Sequence, residues 1–218
     1  MLYDISPIIS PRLAVWPGDT PPSRAVLMDL ARGDSVTLST LHATVHLGAH
    51  ADAPSHYSRD AAAMHERELS FYLGTCQVMR VGVERGALVE PDDLTAPVTV
   101  PRVLLATGTY PDPEHWNDDF AALSPRLVET LHQRGVRLIG IDTPSVDLKD
   151  SKDLPSHQAL LKYDMANLEG LVLSEVPEGI FELIALPLRL EGFDGSPVRA
   201  VLRTLPATLP SSSPPRSA

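Results

Sequence analysis

From Leu41 to Ala53 every odd position is apolar or alanine: Leu41, Ala43, Val45, Leu47, Ala49, Ala51 and Ala53. The even positions between them read His42, Thr44, His46, Gly48, His50 and Asp52. Successive side chains of an extended chain point to opposite faces, so this period of two predicts a strand-like run. One face is greasy and the other carries imidazoles and a carboxylate. His46 and His50 would also share a helical face, but Gly48, Pro54 and the β-branched Thr44 and Val45 weigh against a helix. Further on, runs rich in Val, Met and Leu predict strands over 76–83 and 103–106. Ser124-Pro125 opens a helix with favoured N-cap and first-turn residues, and Gly135 closes it. Leu123, Leu127, Val128 and Leu131 supply its apolar stripe. A continuous apolar strand follows over 137–141, so 103–106, 125–134 and 137–141 form a βαβ unit with parallel strands. Asn167 to Val176 is another apolar run, and alternation around Phe181, Leu183 and Ala185 predicts a strand over 180–189. Val15 to Pro22, with Pro-Gly and Pro-Pro, is an irregular loop, and His65 to Leu69 is a short helical or loop stretch.

These elements indicate an α/β protein with a mixed sheet and helices packed around it, in one domain over 1–205. From 206 to 218 proline and serine dominate; such a segment cannot bury a core and is expected to be a disordered tail. The length of 218 residues, with 43% hydrophobic and 21% charged residues, suits one large domain. Acidic residues number 28 against 18 Lys and Arg, for a net charge of −10, which argues against phosphate backbones and anionic membrane surfaces as partners. The single cysteine, Cys76, rules out an internal disulfide framework and reads as a buried small hydrophobe. The N-terminal residues do not read as a signal peptide, and no stretch approaches 18 uninterrupted apolar residues, so the expected compartment is the cytoplasm.

Imidazole nitrogens and a carboxylate converging on one face are a ligand set for a zinc-like divalent cation. His46, His50 and Asp52 are the candidates, and three such ligands leave open positions, as catalytic rather than structural sites do. His56 follows the chain-redirecting Pro54, where a general base would stand beside a metal without binding it. His157, in the polar loop Leu154-Pro155-Ser156-His157-Gln158, and Glu169 are distant residues that would complete the set, although neither draws notice alone. Trp16 sits on the irregular loop either as a plug beneath it or as a lid over an aromatic ligand. His42, His65, His115 and His132 read as ordinary surface or core histidines.

The pattern His46-x-Gly48-x-His50-x-Asp52-x-Pro54-x-His56 resembles the signature of the cyclase family of metal-dependent hydrolases. Trp16-Pro17-Gly18-Asp19, the run Gly140-Ile141-Asp142-Thr143-Pro144-Ser145-Val146-Asp147 and the closing Gly195-Ser196-Pro197-Val198-Arg199-Ala200 extend the resemblance over almost the whole chain. The Trp loop and the 140–147 run resemble its kynurenine formamidase (arylformamidase) branch. Ala49 departs from the pattern, since many members carry Thr there, on the face away from the ligands.

The resemblance implies a swivelling β/α/β, barrel-like mixed sheet with surrounding helices, in a homodimer or larger homo-oligomer. It implies two zinc ions, the first held by His46, His50 and Asp52. Asp52 would bridge to the second, His157 would bind the second and Glu169 would bridge both. His56 would donate and accept protons, and Trp16 would contact an aromatic substrate. Manganese accepts most of these ligands too. The implied reaction is hydrolysis of N-formyl-L-kynurenine to L-kynurenine and formate in tryptophan degradation. The alternatives are a related hydrolase acting on another aryl or cyclic amide such as isatin, and a non-catalytic zinc protein. A closed structural site has no use for a base such as His56.

Overall fold

The computed structural model describes residues 1–206. Its strands are, in chain order, β1 (Leu2–Asp4), β2 (Ser23–Met28), β3 (Leu38–His42), β4 (His50–Asp52), β5 (Leu73–Arg80), β6 (Leu88–Val89) and β7 (Arg102–Ala106). Then come β8 (Ala122–Leu123), β9 (Leu138–Ile141), β10 (Ala166–Leu168), β11 (Gly179–Ile184), β12 (Gly195–Pro197) and β13 (Val201–Thr204). The helices are α1 (Pro125–Gln133) and α2 (Pro155–Lys162). Seven strands form one curled mixed sheet in the order β1-β13-β11-β5-β7-β9-β10. Pairing is antiparallel from β1 to β5 and parallel from β5 to β10.

The predicted βαβ unit is present. Ser124 caps α1 by accepting from Leu127 N at 3.0 Å, and β7 runs parallel to β9 with Arg102 opposite Leu138. Alternation along these strands divides the core into two layers. Val103, Leu105, Ile139 and Ile141 face α1 and α2, whose Leu127, Val128, Leu131 and Leu160 close that layer. Leu104, Cys76, Val78 and Leu168 face the other way, onto Ala49, Ala51, Ala53 and Phe181. Cys76 is fully buried there, and the lost solvation of a thiolate pushes its thiol up to about 12.

The alternating segment 41–53 is not one strand. β3 ends at His42 and β4 begins at His50; between them the chain bends, with Gly48 at φ 55°. The period still sorts the faces in its second half: Leu47, Ala49, Ala51 and Ala53 are buried in the core, whereas Leu41 is exposed on the separate β2–β3 hairpin. β11 stops at Ile184, short of the expected end at 189. His157 lies in α2 rather than in a loop; Leu154, in the left-handed conformation, and Pro155 start that helix. The stretch 206–218 lies outside the described residues except for Pro206. No helix among the described residues is long and apolar enough to cross a membrane.

Candidate metal centre

Strand β4, the loop before it, the end of β10 and helix α2 deliver the ligands. β4 is held between β12, through the pairs Asp52–Gly195 and His50–Pro197, and an isolated antiparallel bridge from His50 to Glu169. His50 N donates to Glu169 O at 3.1 Å and Glu169 N to His50 O at 3.0 Å. This places both side chains on the same side of the paired backbones. Gly170, at φ 63°, allows the approach: a Cβ there would overlap the carbonyl oxygen of Gly48.

Side-chain geometry gathers five of the expected residues into one cluster. His50 Nε2 lies 3.5 Å from Asp52 Oδ1 and 3.3 Å from Glu169 Oε2. His157 Nε2 lies 3.3 Å from Asp52 Oδ2 and 3.4 Å from Glu169 Oε1. His46 Nδ1 lies 2.9 Å from Asp52 Oδ1. His50, Asp52, His157 and Glu169 are buried. His56 is more open, and it, His46 and Asp52 each offer an atom within 4.8 Å of the others. The other histidines stand apart. His132 stacks on Tyr163 at 4.5 Å, and His115 contacts Asp112 at 2.7 Å on the surface.

The residues fit a divalent cation. Asp52 Oδ1 is buried without a hydrogen bond although two imidazole nitrogens stand near it. Buried carboxylate oxygens normally find donors, so an unpartnered one beside imidazole nitrogens has the lone pairs free that a cation would take. The donor set of imidazole nitrogen and carboxylate oxygen suits zinc or manganese. Each imidazole is oriented from behind: His50 Nδ1 meets Gly48 O at 2.8 Å, and His157 Nδ1 meets Asp147 Oδ2 at 2.7 Å. Asp147 also accepts from the backbone N–H groups of Ser156 and His157, which locks it at the start of α2.

Electrostatics follow from these contacts. Burial alone would lower the pKa of His46, but the carboxylates of Asp52 and Asp194 outweigh it and raise it to about 9. His157 is likewise disfavoured by burial yet raised well above its ordinary value by Asp147, Asp52 and Glu169. Burial pushes Asp52 up, but His157, His46 and His50 hold it well below the usual carboxylate range. Glu169 is lowered in the same way, against its burial and the charge of Asp52, by His157 and His50.

Three contributors escape the sequence patterns. Asn167 donates from Nδ2 to Asp52 Oδ2 at 2.6 Å and to Glu169 Oε1 at 3.0 Å, fixing both carboxylates. Its position two residues before Glu169 on an extended segment is the available signal. Asp194 Oδ2 lies 3.0 Å from His46 Nε2 and 3.4 Å from His56 Nδ1, and nothing local marks it. Trp116 packs edge-on against Trp16 with ring centroids 5.2 Å apart, and Phe120 lies 6.2 Å from Trp16. Trp16 therefore belongs to an aromatic wall. That wall and the cluster share one cavity of about 640 Å³, whose lining includes Trp16, Tyr110, Trp116, His50, His157 and Glu169.

Comparison with known proteins gives the fold and the family. A protein of Bacillus stearothermophilus described as a predicted metal-dependent hydrolase superposes with a TM-score of 0.78 at 26% identity, covering 93% of this chain and 97% of that one. A potential metal-dependent hydrolase with cyclase activity gives 0.81 at 24% identity, covering 93% and 96%. Isatin hydrolase A of Labrenzia aggregata gives 0.78 at 21% identity, covering 94% and 93%. The model of the Cyclase family matches residues 3–148, a span that carries the Trp loop, the His/Asp pattern and the 140–147 run. The chain belongs to the Cyclase family and has the fold of its metal-dependent hydrolases.

Proposed function

We propose that the chain is an arylformamidase that hydrolyses N-formyl-L-kynurenine to L-kynurenine and formate on two zinc ions. The observation that carries this reading is one cavity holding both the His/Asp/Glu cluster and the Trp16–Trp116 wall, an aromatic surface beside a hydrolytic centre. His46, His50, Asp52, His157 and Glu169 would hold two divalent ions, which would supply Lewis-acid chemistry and lower the pKa of water toward neutrality. His56 takes the proton of the attacking water and hands it to the aniline nitrogen as the C–N bond breaks. With its Nδ1 turned to Asp194, Nε2 is the nitrogen left to move that proton. Trp16 and Trp116 hold the aryl ring and keep bulk water from it.

Ring opening of isatin is the second reading, supported by the likeness of the fold to isatin hydrolases. Formate release from N-formyl-L-kynurenine and ring opening of isatin, assayed side by side on zinc-loaded protein, decide between them. Isatin turnover without formate release would replace the first reading with the second. A homodimer or larger homo-oligomer is part of the proposal. The β2–β3 hairpin supports it, with Leu27, Leu30, Leu38 and Leu41 all exposed.

A further inference from the structure

Asp142 follows β9 directly and Thr107 follows the neighbouring parallel strand β7, so both stand at the carboxyl ends of paired strands. Asp142 is buried and lines the cavity, yet the chemistry of the metal centre does not use it. Its carboxylate is met on both oxygens. Oδ1 accepts from Thr107 N at 3.0 Å and from Thr107 Oγ1 at 2.7 Å, and Oδ2 accepts from Gly108 N at 2.9 Å. Because Thr107 gives its hydroxyl hydrogen to Asp142, the Thr109 hydroxyl 2.8 Å away donates in turn to Thr107 Oγ1. Thr109 Oγ1 is left to accept, and it takes the backbone N–H of Ala121 at 2.9 Å. The loop between Thr109 and Ala121 is thereby clasped at its neck, and Asn117 Nδ2 adds a bond to Thr109 O at 3.3 Å. Tyr110 and Phe120 flank the clasp, and each packs edge-on against Trp116 with ring centroids 5.9 Å apart. On the other side, the carbonyl of Thr143 accepts from Gly170 N at 2.8 Å, beside the candidate ligand Glu169. Asp142 thus grips the aromatic wall while its neighbour grips the metal cluster.

We propose that Asp142 is a positioning residue for substrate selection: through Thr107 and Thr109 it fixes the aromatic loop relative to the metal cluster, so that the cavity takes aryl amides. A carboxylate is needed at this position. The amide of an asparagine accepts at one oxygen only, and would turn an N–H toward the donors of either Thr107 or Gly108. The inference rests on the arylformamidase reading for the reacting group, and deepens it by naming what holds the aryl pocket in place.

The test uses acetanilide, an uncharged aryl amide, as the probe of the full-length, zinc-loaded protein. Trp16 and Trp116 are the two tryptophans of the chain and both line the cavity, so quenching of their fluorescence reports binding there. Near-ultraviolet circular dichroism reports how the pair is packed. Asp142→Asn is expected to weaken acetanilide binding about tenfold and to reduce the dichroism of the pair, with zinc content unchanged. Thr109→Val removes the hydroxyl and keeps the shape, and is expected to do the same. The double variant is expected to bind no more weakly than the weaker single one, since both changes break one chain of bonds. Should Asp142→Asn fail to fold, Thr109→Val alone decides on the same two readouts. No acetanilide binding by the wild type overturns the proposal, as does unchanged binding and dichroism in Thr109→Val. A loss confined to Asp142→Asn overturns it too, because Asp142 would then touch the ligand directly. So do additive losses in the double variant, a fall in zinc content, or a lower melting temperature without a change in binding. Formate release from N-formyl-L-kynurenine is assayed on the same wild-type protein. Weakened acetanilide binding in the variants without formate release by the wild type would remove the formamidase reading and leave the role of Asp142 standing.

Discussion

His50 and Glu169 exchange both of their backbone hydrogen bonds, so two candidate ligands from opposite halves of the chain are placed by main chain rather than by side-chain choice. The pairing depends on Gly170, whose missing Cβ leaves room for the Gly48 carbonyl. Gly170→Ala adds left-handed backbone strain to an overlap with backbone, and is expected to cost about 2–5 kcal/mol in total. The bound metal content should fall with it. Urea denaturation and elemental analysis of the variant check this; wild-type stability and full metal content would show that the contact does not govern the join.

Metal uptake should expel protons. Ligation requires neutral imidazoles, and a raised pKa means that a group holds its proton to higher pH. With zinc stripped, His46 at about 9 is protonated at pH 7, and His157, raised well above its ordinary value, holds its proton to higher pH than a free imidazole. Zinc binding at pH 7 is therefore expected to release protons, with affinity rising as pH rises toward 9. In the stripped protein the same shift works on stability in the opposite sense. The contribution of His46 is fully present below its unfolded value of 6.5 and is lost as pH rises through about 9. Titration calorimetry in buffers of different ionisation enthalpy counts the protons; release near zero would contradict the charge balance of the cluster.

His56 and His50 should separate by role. His56→Ala is expected to keep both ions and lose roughly 10²–10⁴ in rate, the range for a general acid/base. His50→Ala should lose metal and activity together. Measured metal content of the two purified variants distinguishes them, since His56 stands close enough to His46 and Asp52 that an emptied site in His56→Ala would make it a ligand.

Much of this site is legible in the sequence because its densest part is local. His46, His50, Asp52 and His56 lie within one segment, and the buried Leu47, Ala49, Ala51 and Ala53 turn the polar positions the other way. The period overreaches upstream because a two-stranded hairpin without a covered face imposes no burial on Leu41 or Leu38. His157 reads as a loop residue because α2 opens on a left-handed Leu154, which lacks the usual side-chain cap. Asp194 is invisible because its role is made by tertiary contact alone, through β12 against β4.

Trp16 bears on selectivity. Its indole meets Trp116 and Phe120 edge-on and faces the cavity, so Trp16→Ala should weaken binding of an aryl formamide and spare a small aliphatic one. The aromatic contact is worth about 0.5–1.5 kcal/mol beyond buried area, or roughly twofold to twelvefold in KM. Kinetics on both substrates test it. An equal loss on both, or a collapse in melting temperature, would make Trp16 a packing residue only.

The Asn167 amide that clamps Asp52 joins residues 115 positions apart, with His157 meeting the same carboxylate and Glu169 meeting His50 from the far half of the chain. An ion gripped by these residues would act on the polymer as a cross-link closing a loop of that size. Its loss would thus be felt as added freedom of the unfolded chain throughout the domain, on the order of 4–5 kcal/mol for a covalent link of that span. Chelation and heat would then act on one cooperative unit, and the melting temperature would track zinc concentration as it does for any ligand that binds only the closed chain.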